Sequence, residues 1–348
     1  MKPTRVAGTA GNGKNLPLRL DLEDLPEEGG GLTAVLIGSK SMRDAHHLAS
    51  QVASSDAPVL IQGESGTGKE LFARLIHVMS NRKEKAFIPV NCGVLKGELF
   101  ADKFFGHESG AFTGAARTQK GSFELAGEGT LFLDEVGEIP PNNQVDFLRV
   151  LEQRTFRRLG GEKDLPFGAR IVAATNRNLL DMVRRGDFRA DLFYRLNVVP
   201  VYLPPLRLRR EDVAPLAAHF LDHFGHRYHK EGPRLAASTL KALTAYAWPG
   251  NVRELKNLIE RLVLVHAGGE IKTEDLPLEM QFGAACAVDD SPTDCLTLDA
   301  AVRQAEIKAI LRAFKQAGGV KGDTAELLGI SPRTLRYKVQ ELGLTLKM

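Results

Sequence analysis

Residues 63–70 read GESGTGKE, and this stretch constrains the fold more than any other part of the chain. It follows the β-prone run PVLIQ at 58–62 and precedes the helical pattern LFARLIHVMS. Glycines let backbone amides turn inward around phosphates, the helix N-terminus adds a positive dipole end, and Lys69 adds a cation. The stretch predicts a nucleotide-binding P-loop made of Gly63, Glu64, Ser65, Gly66, Thr67, Gly68, Lys69 and Glu70. Glu70 stands where most P-loops have Ser or Thr as a magnesium ligand, and a glycine-rich turn with a surface lysine is the alternative.

Further apolar, β-prone runs alternate with helical patterns at 86–91, 129–135, 170–176 and 198–204. Their apolarity is continuous rather than alternating, which predicts strands buried on both faces. The chain therefore predicts an α/β fold with a parallel sheet wrapped by helices. Residues 211–280 lack such runs and predict a smaller helical lobe.

The 348 residues include 46 Lys and Arg against 43 Asp and Glu, which leaves a net charge of only +3. Any binding to DNA must therefore be local.

Cys92, Cys286 and Cys295 are odd in number and scattered, which argues against a disulfide framework or a metal site and is typical of a reducing cytosol. Residues 1–20 lack the apolar core of a signal peptide, and no apolar run is long enough to span a membrane. We therefore expect a cytoplasmic protein.

Two predicted strands end in polar groups that suit nucleotide chemistry. GTLFLDE at 129–135 ends in Asp134 and Glu135, and the carboxyl edge of a parallel sheet is where a nucleotide binds. Asp134 would hold magnesium through its waters, and Glu135 would polarise the attacking water. Thr175 and Asn176, at the end of RIVAATN, would position that water or sense the terminal phosphate. A pair of solvated acids and an ordinary turn are the respective alternatives.

Three arginines have contexts that suit phosphate binding. Arg189 and Arg195 lie six residues apart in GDFRADLFYRLNV, and one or both could reach a neighbouring subunit's nucleotide as an arginine finger. Solvation or ion pairing is the alternative for both. In WPGNVREL, Asn251 predicts a helix N-cap, and the spacing to Glu254 predicts a capping box. Arg253 then lies in the first helical turn, where a cation is unfavourable unless a phosphate is near.

The charged run at 207–212 predicts a solvated loop.

In GHESGAFTGAAR, at 106–117, Phe112 is the one aromatic among small and polar neighbours. The stretch has neither strand nor helix periodicity, so it predicts a loop with Phe112 at its tip. Such a residue packs poorly within its own domain and predicts a contact with another molecule.

The end of the chain predicts a DNA-binding unit. GDTAELLGISPRTLRYKVQELGL contains two helical patterns around a Gly-bearing turn, with Ser331 as N-cap and Pro332 at the first position of the second helix. Residues 297–348 carry nine Lys or Arg and five Asp or Glu, so positive charge is concentrated there. The predicted DNA contacts are Ser331, Arg333, Thr334, Arg336, Tyr337, Lys338 and Gln340. A helix at about 298–316 would provide a dimer contact, and a hairpin used only for dimerisation is the alternative.

GESGTGKE, GAFTGA, GTLFLDE, AATNRN, FRADLFYRLNV and WPGNVREL occur in this order. Together they resemble the central AAA+ domain of sigma-54-dependent transcriptional activators, the bacterial enhancer-binding proteins. The resemblance covers about 34–280, and similarity to the Fis-type helix-turn-helix extends it to the end of the chain. It implies an AAA+ P-loop ATPase with a helical lid that uses ATP and Mg²⁺ and assembles, from dimers, into a hexameric ring.

The resemblance also assigns roles residue by residue. Lys69 would bind phosphate, Asp134 and Glu135 would be the Walker B pair, and Asn91 would restrain the catalytic glutamate. Thr175 and Asn176 match the first sensor, Arg189 and Arg195 the fingers, and Arg253 the second sensor. Residues 154–170 resemble a second surface loop that supports the first. The implied sigma-54 contact consists of Gly110, Ala111, Phe112, Thr113, Gly114 and Ala115.

We therefore expect five segments: a flexible arm (1–33), the α/β subdomain (34–210), the lid (211–280), a linker (281–296) and the helix-turn-helix domain (297–348). Many family members begin with a sensory domain, so either a regulator acts in trans or such a domain has been removed. The predicted function is an ATP-hydrolysing activator that binds upstream DNA and remodels sigma-54 RNA polymerase. The alternatives are a DNA-binding regulator without the sigma-54 contact, and a ring ATPase that unfolds proteins or loads helicases.

Overall fold

The computed structural model describes residues 4–5, 18–21, 34–94, 97–230, 233–266, 269–281, 298–342 and 344. The predicted linker at 281–296 lies outside the described residues except for Gln281, as does most of the predicted arm at 1–33. Cys286 and Cys295 also lie outside them.

In chain order the strands are β1 (Thr4–Arg5), β2 (Leu18–Asp21), β3 (Ala34–Ile37), β4 (Val59–Gln62), β5 (Phe87–Asn91), β6 (Gly106–His107), β7 (Gln119–Lys120), β8 (Thr130–Asp134), β9 (Thr155–Phe156), β10 (Leu165–Pro166), β11 (Arg170–Thr175), β12 (Val199–Tyr202), β13 (Arg234–Leu235) and β14 (Glu270–Ile271). The helices are α1 (Lys40–Val52), α2 (Lys69–Val78), α3 (Glu98–Phe105), α4 (Ser122–Ala126), α5 (Pro141–Gln153), α6 (Leu179–Arg185), α7 (Ala190–Leu196), α8 (Val213–Arg227), α9 (Ala237–Ala245), α10 (Asn251–Val265), α11 (Leu278–Gln281), α12 (Leu298–Gln316), α13 (Lys321–Leu327) and α14 (Pro332–Glu341).

The five apolar runs form one parallel sheet in the order β12-β4-β11-β8-β5, which confirms the predicted α/β fold. Side chains along β8 show why the apolarity is continuous. Leu131 and Leu133 pack in the hydrophobic cluster on one face, and Phe132 packs in the cluster on the other. The sheet order places the carboxyl ends of β4, β11 and β8 side by side, directly beneath the predicted site.

The predicted flexible arm contains strand structure. β1 pairs with β2, and β2 pairs antiparallel with β3 in the register Leu18↔Ile37. Strands this short carry too few residues to show alternation, so the surrounding glycine-rich and acidic sequence hid them.

Contacts divide the chain into two compact units, Met1–Ala218 with Trp248–Asn257 and His219–Ala247 with Leu258–Met348. The first unit holds the sheet. The second is mainly helical and ends in α12, α13 and α14, whose cluster includes Ile307, Phe314 and Leu335. It also contains β13 and β14, which pair in parallel and were not predicted because each has only two residues. No helix among the described residues has the length and apolarity needed to cross a bilayer.

Candidate functional site

The P-loop lies between β4 and α2, as predicted. Gly66 and Gly68 have positive φ angles of 79° and 99°, which glycine adopts readily. At Gly66 the Gly250 carbonyl also leaves no room for a Cβ. Gly68 is the N-cap of α2, so the first-turn amides of that helix end at the loop. The loop therefore has the backbone form needed to cradle an anion.

Lys69 is the most buried charged residue of the P-loop, with a relative exposure of 7%. Its Nζ donates to the carbonyl oxygens of Gly63 at 3.0 Å and Glu64 at 3.3 Å. The same atom lies 3.6 Å from Glu135 Oε1. The P-loop lysine and one of the predicted catalytic acids therefore meet at one point.

Glu70, also predicted as a P-loop contact, pairs with Arg74 one turn along α2, with Oε1 to Nη2 at 2.9 Å. Its side chain is about half exposed. The Glu70 carboxylate is therefore held in an ion pair on the surface of α2.

Glu135 directly follows β8 and has a positive φ of 53°, an uncommon conformation for a non-glycine residue. Its Oε2 accepts a hydrogen bond from the Asn176 backbone N–H at 3.1 Å. The carboxylate is thus held between Lys69 and the end of β11. The structure brings together the P-loop, the acidic pair and the predicted sensor strand.

Asn91 has a different partner from the predicted one. We expected it to restrain Glu135, but its Nδ2 lies 3.4 Å from Asp134 Oδ2. Strand register is the reason, since β5 and β8 pair with Asn91 opposite Asp134. Glu135 lies beyond the strand and turns toward Asn176 instead.

The pKa of Asp134 is raised, first by burial and then by the negative charge of Glu135, while Lys69 opposes the shift. Its Oδ1 accepts from the Glu135 backbone N–H at 3.0 Å. The positive charge of Lys69 compensates an ionised Asp134 carboxylate only in part. Carboxylate oxygen is also the donor that Mg²⁺ prefers, so the residue fits a magnesium ligand.

Thr175 is fully buried at the end of β11, and its hydroxyl is engaged locally. Oγ1 accepts from the Arg177 backbone N–H at 3.0 Å, and its carbonyl accepts from the Gly63 N–H at 3.2 Å. Thr175 therefore connects β11 to the P-loop, and of the two predicted sensor residues Asn176 is the one that contacts Glu135.

Asn251 was wrongly predicted as a helix N-cap, because α10 already begins at Asn251. It is fully buried, has a φ of 53°, and uses its side chain for long-range bonds. Oδ1 accepts from the Leu206 N–H at 2.7 Å, and Nδ2 donates to the Ser65 carbonyl at 3.0 Å and to Glu64 Oε2 at 3.2 Å. The reaching-back carboxylate of the capping box is present one residue earlier than expected, because Glu254 Oε2 accepts from the Gly250 N–H at 2.8 Å.

Arg253 lies beside the P-loop, as its context predicted. Its Nη1 donates to Ser65 Oγ at 2.9 Å, and its backbone N–H donates to the Gly66 carbonyl at 3.3 Å. The guanidinium is therefore within reach of a ligand bound to this loop.

The prediction of a solvated loop at 207–212 is wrong for Arg209 and Asp212, which are buried, whereas Arg210 and Glu211 are exposed. Arg207 donates to both carboxylate oxygens of Glu64, at 2.6 and 2.8 Å. Arg209 is only 3% exposed and donates to the Thr67 carbonyl at 3.0 Å. Nothing local distinguishes these arginines from solvated ones, because their acceptors lie more than 140 residues away, with separations of 143 and 142.

The two candidate finger arginines lie at opposite ends of α7. Arg189 precedes the helix as its N-cap residue, rather than lying within it, and pairs with Asp191 at 2.7 Å. Arg195 lies in the last turn and donates to the Leu151 carbonyl at 2.9 Å. Both side chains are exposed.

The GAFTGA segment forms a compact loop between β6 and β7. The Gly110 N–H donates to the Ala115 carbonyl at 2.8 Å, and the Ala115 N–H donates to the Phe112 carbonyl at 3.0 Å. Phe112 is 38% exposed and contacts only the edge of His107 among described aromatic rings, with centroids 4.9 Å apart. Thr113 and Gly114 are exposed, and Ala115 is buried.

The second loop packs against the first, as expected. The Glu108 N–H donates to the Leu159 carbonyl at 3.0 Å. Arg158 donates to Glu108 at 2.7 Å and to Glu124 at 2.8 Å, which ties the two loops to α4. Gly160, with a φ of 70°, lies so close to Ala111 that a Cβ there would be 2.8 Å from the alanine Cβ.

The terminal helices have the predicted faces. Ser331 caps α14 by accepting from the Thr334 N–H at 3.1 Å, and Pro332 is the first helical residue. Leu335 is buried in the cluster with α12. The exposed residues of α14 include Arg333, Thr334, Arg336, Tyr337 and Gln340.

Among ion pairs between described residues, Lys338 is the one predicted DNA contact of α14 that takes part. Its Nζ lies 2.9 Å from Glu306 and 3.4 Å from Glu341, and these carboxylates raise the pKa of the ammonium. Its charge is therefore largely used to hold α14 to α12.

Three family models match the chain. They are the Sigma-54 interaction domain at 35–202, the AAA+ ATPase lid domain at 207–291, and the bacterial regulatory protein, Fis family, at 301–342. Together with the sheet order and the P-loop, they define an AAA+ P-loop fold with a helical lid and a helix-turn-helix DNA-binding domain.

Individual proteins of similar sequence or structure identify the family within this class of fold. Regulatory protein AtoC of Escherichia coli is 46% identical over 312 residues, which cover 89% of this chain and 68% of AtoC. Nitrogen fixation protein AnfA of Azotobacter vinelandii is 43% identical, over 90% of this chain and 58% of AnfA. NtrX of Brucella abortus, solved in complex with ATP, has a TM-score of 0.64 at 32% identity, over 88% of this chain and 68% of NtrX. The chain belongs to the sigma-54-dependent transcriptional activators, and it spans between 58% and 68% of the length of these curated relatives.

Proposed function

We propose that this chain hydrolyses ATP at the P-loop and uses the cycle to move the GAFTGA loop against sigma-54, so that RNA polymerase opens promoter DNA. The observation that carries the proposal is the meeting of Lys69, Glu135 and Asn176. These residues come from three separate segments, and Glu135 bridges the other two. The family membership supplies the client, and the exposed Phe112 supplies a surface for contacting it.

Each residue then has a chemical role in hydrolysis. The amides of 63–69 and the Lys69 ammonium hold the phosphates, and Arg253 adds a second cation beside Ser65. Glu135 orients the attacking water, with Asn176 fixing its carboxylate. Asn91 restrains Asp134, its neighbour in the sheet. Glu70 and Thr175 do not bind phosphate in this mechanism, and they support the conformation of the P-loop instead.

Magnesium, when bound, would neutralise phosphate charge, and Asp134 is the residue that would hold it. The raised pKa of Asp134 supports this role because a nearby cation would favour its ionised form. Arg189 and Arg195 are exposed, so either is able to serve a neighbouring subunit in a hexameric ring.

The remaining parts of the proposal concern assembly and DNA. The exposed face of α14 enters the major groove of upstream DNA, with Arg333 or Gln340 at base edges and Arg336 on phosphate. α12 provides the dimer contact. The domain boundaries at 33, 210, 280 and 296, control in trans and a cytoplasmic location stay predictions.

The test is complex formation with sigma-54 in the presence of ADP and aluminium fluoride, comparing the wild type with Phe112→Ala. We expect the wild type to bind and Phe112→Ala to lose binding while retaining most of its ATPase rate. Leu180→Ala is the matched control, because Leu180 is a similarly exposed apolar residue, at 41% against 38%, on helix α6 and outside the loop.

Two outcomes contradict the proposal. If the wild type hydrolyses ATP but binds no sigma-54, the client is another protein. If Phe112→Ala loses ATP hydrolysis together with binding, the loop has a structural role in the nucleotide site.

A further inference from the structure

Arg209 places a buried positive charge against the P-loop. Its guanidinium donates to the Thr67 carbonyl at 3.0 Å, and both residues are 3% exposed. Burial lowers the pKa of Arg209, and the charge of Asp212 opposes the shift. A guanidinium stays protonated in proteins, so the charge is permanent.

The bond to Thr67 fixes the next amide of the loop. In a planar trans peptide, the carbonyl and the following N–H point in opposite directions. Because Arg209 holds the Thr67 carbonyl, the Gly68 N–H is directed away from Arg209. Gly68 is the N-cap of α2 and has a φ of 99°, so its own conformational preference does not fix that direction.

The segment that carries Arg209 is itself anchored on two sides. Arg207 binds both carboxylate oxygens of Glu64, at the start of the P-loop. Asp212 accepts hydrogen bonds from the Ser39 N–H at 2.7 Å and from Ser39 Oγ at 2.8 Å. These contacts on both sides of Arg209 fix its position relative to the P-loop.

We propose that Arg209 is a positioning residue that directs the Gly68 N–H toward the β-phosphate of a bound nucleotide. P-loop amides cradle the α- and β-phosphates, so Arg209 favours nucleoside diphosphates and triphosphates over monophosphates. The inference rests on the nucleotide site of the proposed function, and it concerns nucleotide binding alone, without sigma-54 or DNA.

The experiment uses the full chain and three variants, titrated with fluorescent ADP and AMP analogues. Arg209→Met keeps a long side chain but removes the charge and the donors, and because it leaves the buried Asp212 without its counter-charge it should also lower stability. Arg209→Lys keeps the charge. Arg210→Met is the control, since Arg210 is an exposed arginine on the same segment.

We expect Arg209→Met to weaken ADP binding by about tenfold or more, the loss expected for a hydrogen bond to a charged group. AMP binding should stay at its wild-type value at temperatures where the variant is fully folded, even though the thermal midpoint is lower. Arg209→Lys should recover most of the ADP affinity, and Arg210→Met should match the wild type.

Wild-type ADP affinity in Arg209→Met would overturn the inference. An equal loss of ADP and AMP affinity would do the same, because it would show general structural support of the nucleotide site. If the wild type itself binds neither nucleotide, the nucleotide site of the proposed function fails, and the inference fails with it.

Discussion

Glu135 combines two features that rarely occur together in a residue kept only for packing. Its φ of 53° is strained for a side chain with a Cβ, and its carboxylate is held by Lys69 and by the Asn176 N–H. The backbone turn is what moves this carboxylate out of the line of β8, away from Asn91 and toward β11. The strain and the bonding together support its role in orienting water.

Replacing Glu135 with Gln should separate binding from turnover. The amide is similar in size but cannot accept a proton, so we expect ATP to bind and kcat to fall by about 10²- to 10⁴-fold. Steady-state ATPase rates and nucleotide titration measure the two effects. Glu138→Gln is the control, since Glu138 lies on the same turn and pairs with Arg177. Normal turnover in Glu135→Gln would remove Glu135 from the mechanism.

Asp134 should destabilise the nucleotide-free protein. Its pKa is raised by burial and by Glu135, so the folded state binds a proton more tightly than the unfolded state does. Stability from this group is therefore lost as pH rises from the ordinary carboxyl pKa through the raised one. We expect Asp134→Asn to raise the thermal midpoint at pH 7 and to abolish magnesium-dependent hydrolysis. A lowered midpoint would contradict this account.

At the scale of elements, the two surface loops behave as one unit. Leu159 joins β6 through a backbone bridge to His107, Arg158 binds Glu108, and Gly160 touches Ala111. None of these contacts involves Phe112, so the second loop supports the first without covering its tip. A change in the second loop should therefore alter the first loop more than it alters the nucleotide site.

Gly160→Ala tests this coupling, and Gly186→Ala is its control. Both glycines have positive φ, 70° and 81°, so each alanine carries a similar conformational cost of about 1–2 kcal/mol. Only at Gly160 would the new Cβ collide, with Ala111, because Gly186 has open space around it. We expect faster hydrogen exchange of the amides at 108–118 in Gly160→Ala alone, with ATPase activity retained in both. Equal exchange in the two variants would show that the loops are independent.

At the scale of the whole molecule, the excess of positive charge and the nucleotide-site residues lie in different parts of the chain. The net charge is +3, yet residues 297–348 alone have nine basic and five acidic residues. The nucleotide residues all belong to the first compact unit, and α14 belongs to the second. DNA affinity and ATP hydrolysis should therefore respond to different substitutions.

Arg333→Ala should weaken binding to cognate DNA by about 1–3 kcal/mol and leave the ATPase rate per subunit unchanged. Arg336→Ala should weaken specific and nonspecific binding alike and reduce the salt slope by about one. Lys338→Met is the comparison, because Glu306 already neutralises that ammonium and its loss should mainly lower stability. Titrations at several salt concentrations measure these effects, and a fall in ATPase rate with Arg333→Ala would contradict the separation.

Much of the fold was predictable because its signals are local. The P-loop, the five parallel strands and the cap at Ser331 each depend on residues a few positions apart, and the structure confirms them. Burial on both faces was wrongly predicted for the edge strands β5 and β12, which each have one buried residue because no strand covers their outer side. The short strands in 1–33 and the pair β13 and β14 were missed because two to four residues carry too little pattern.

The sequence by itself determined the sheet, the phosphate-binding loop, the exposed Phe112 and the outward face of α14, since period and spacing set these. Only the tertiary structure decided the partners of Asn91, Asn251 and Arg209. Asn91 follows strand register, and Asn251 and Arg209 bind P-loop carbonyls 186 and 142 residues away. A polar side chain in a charged or turn-like stretch has the same local pattern whether water or a distant carbonyl receives its hydrogen bond, and folding alone selects between them.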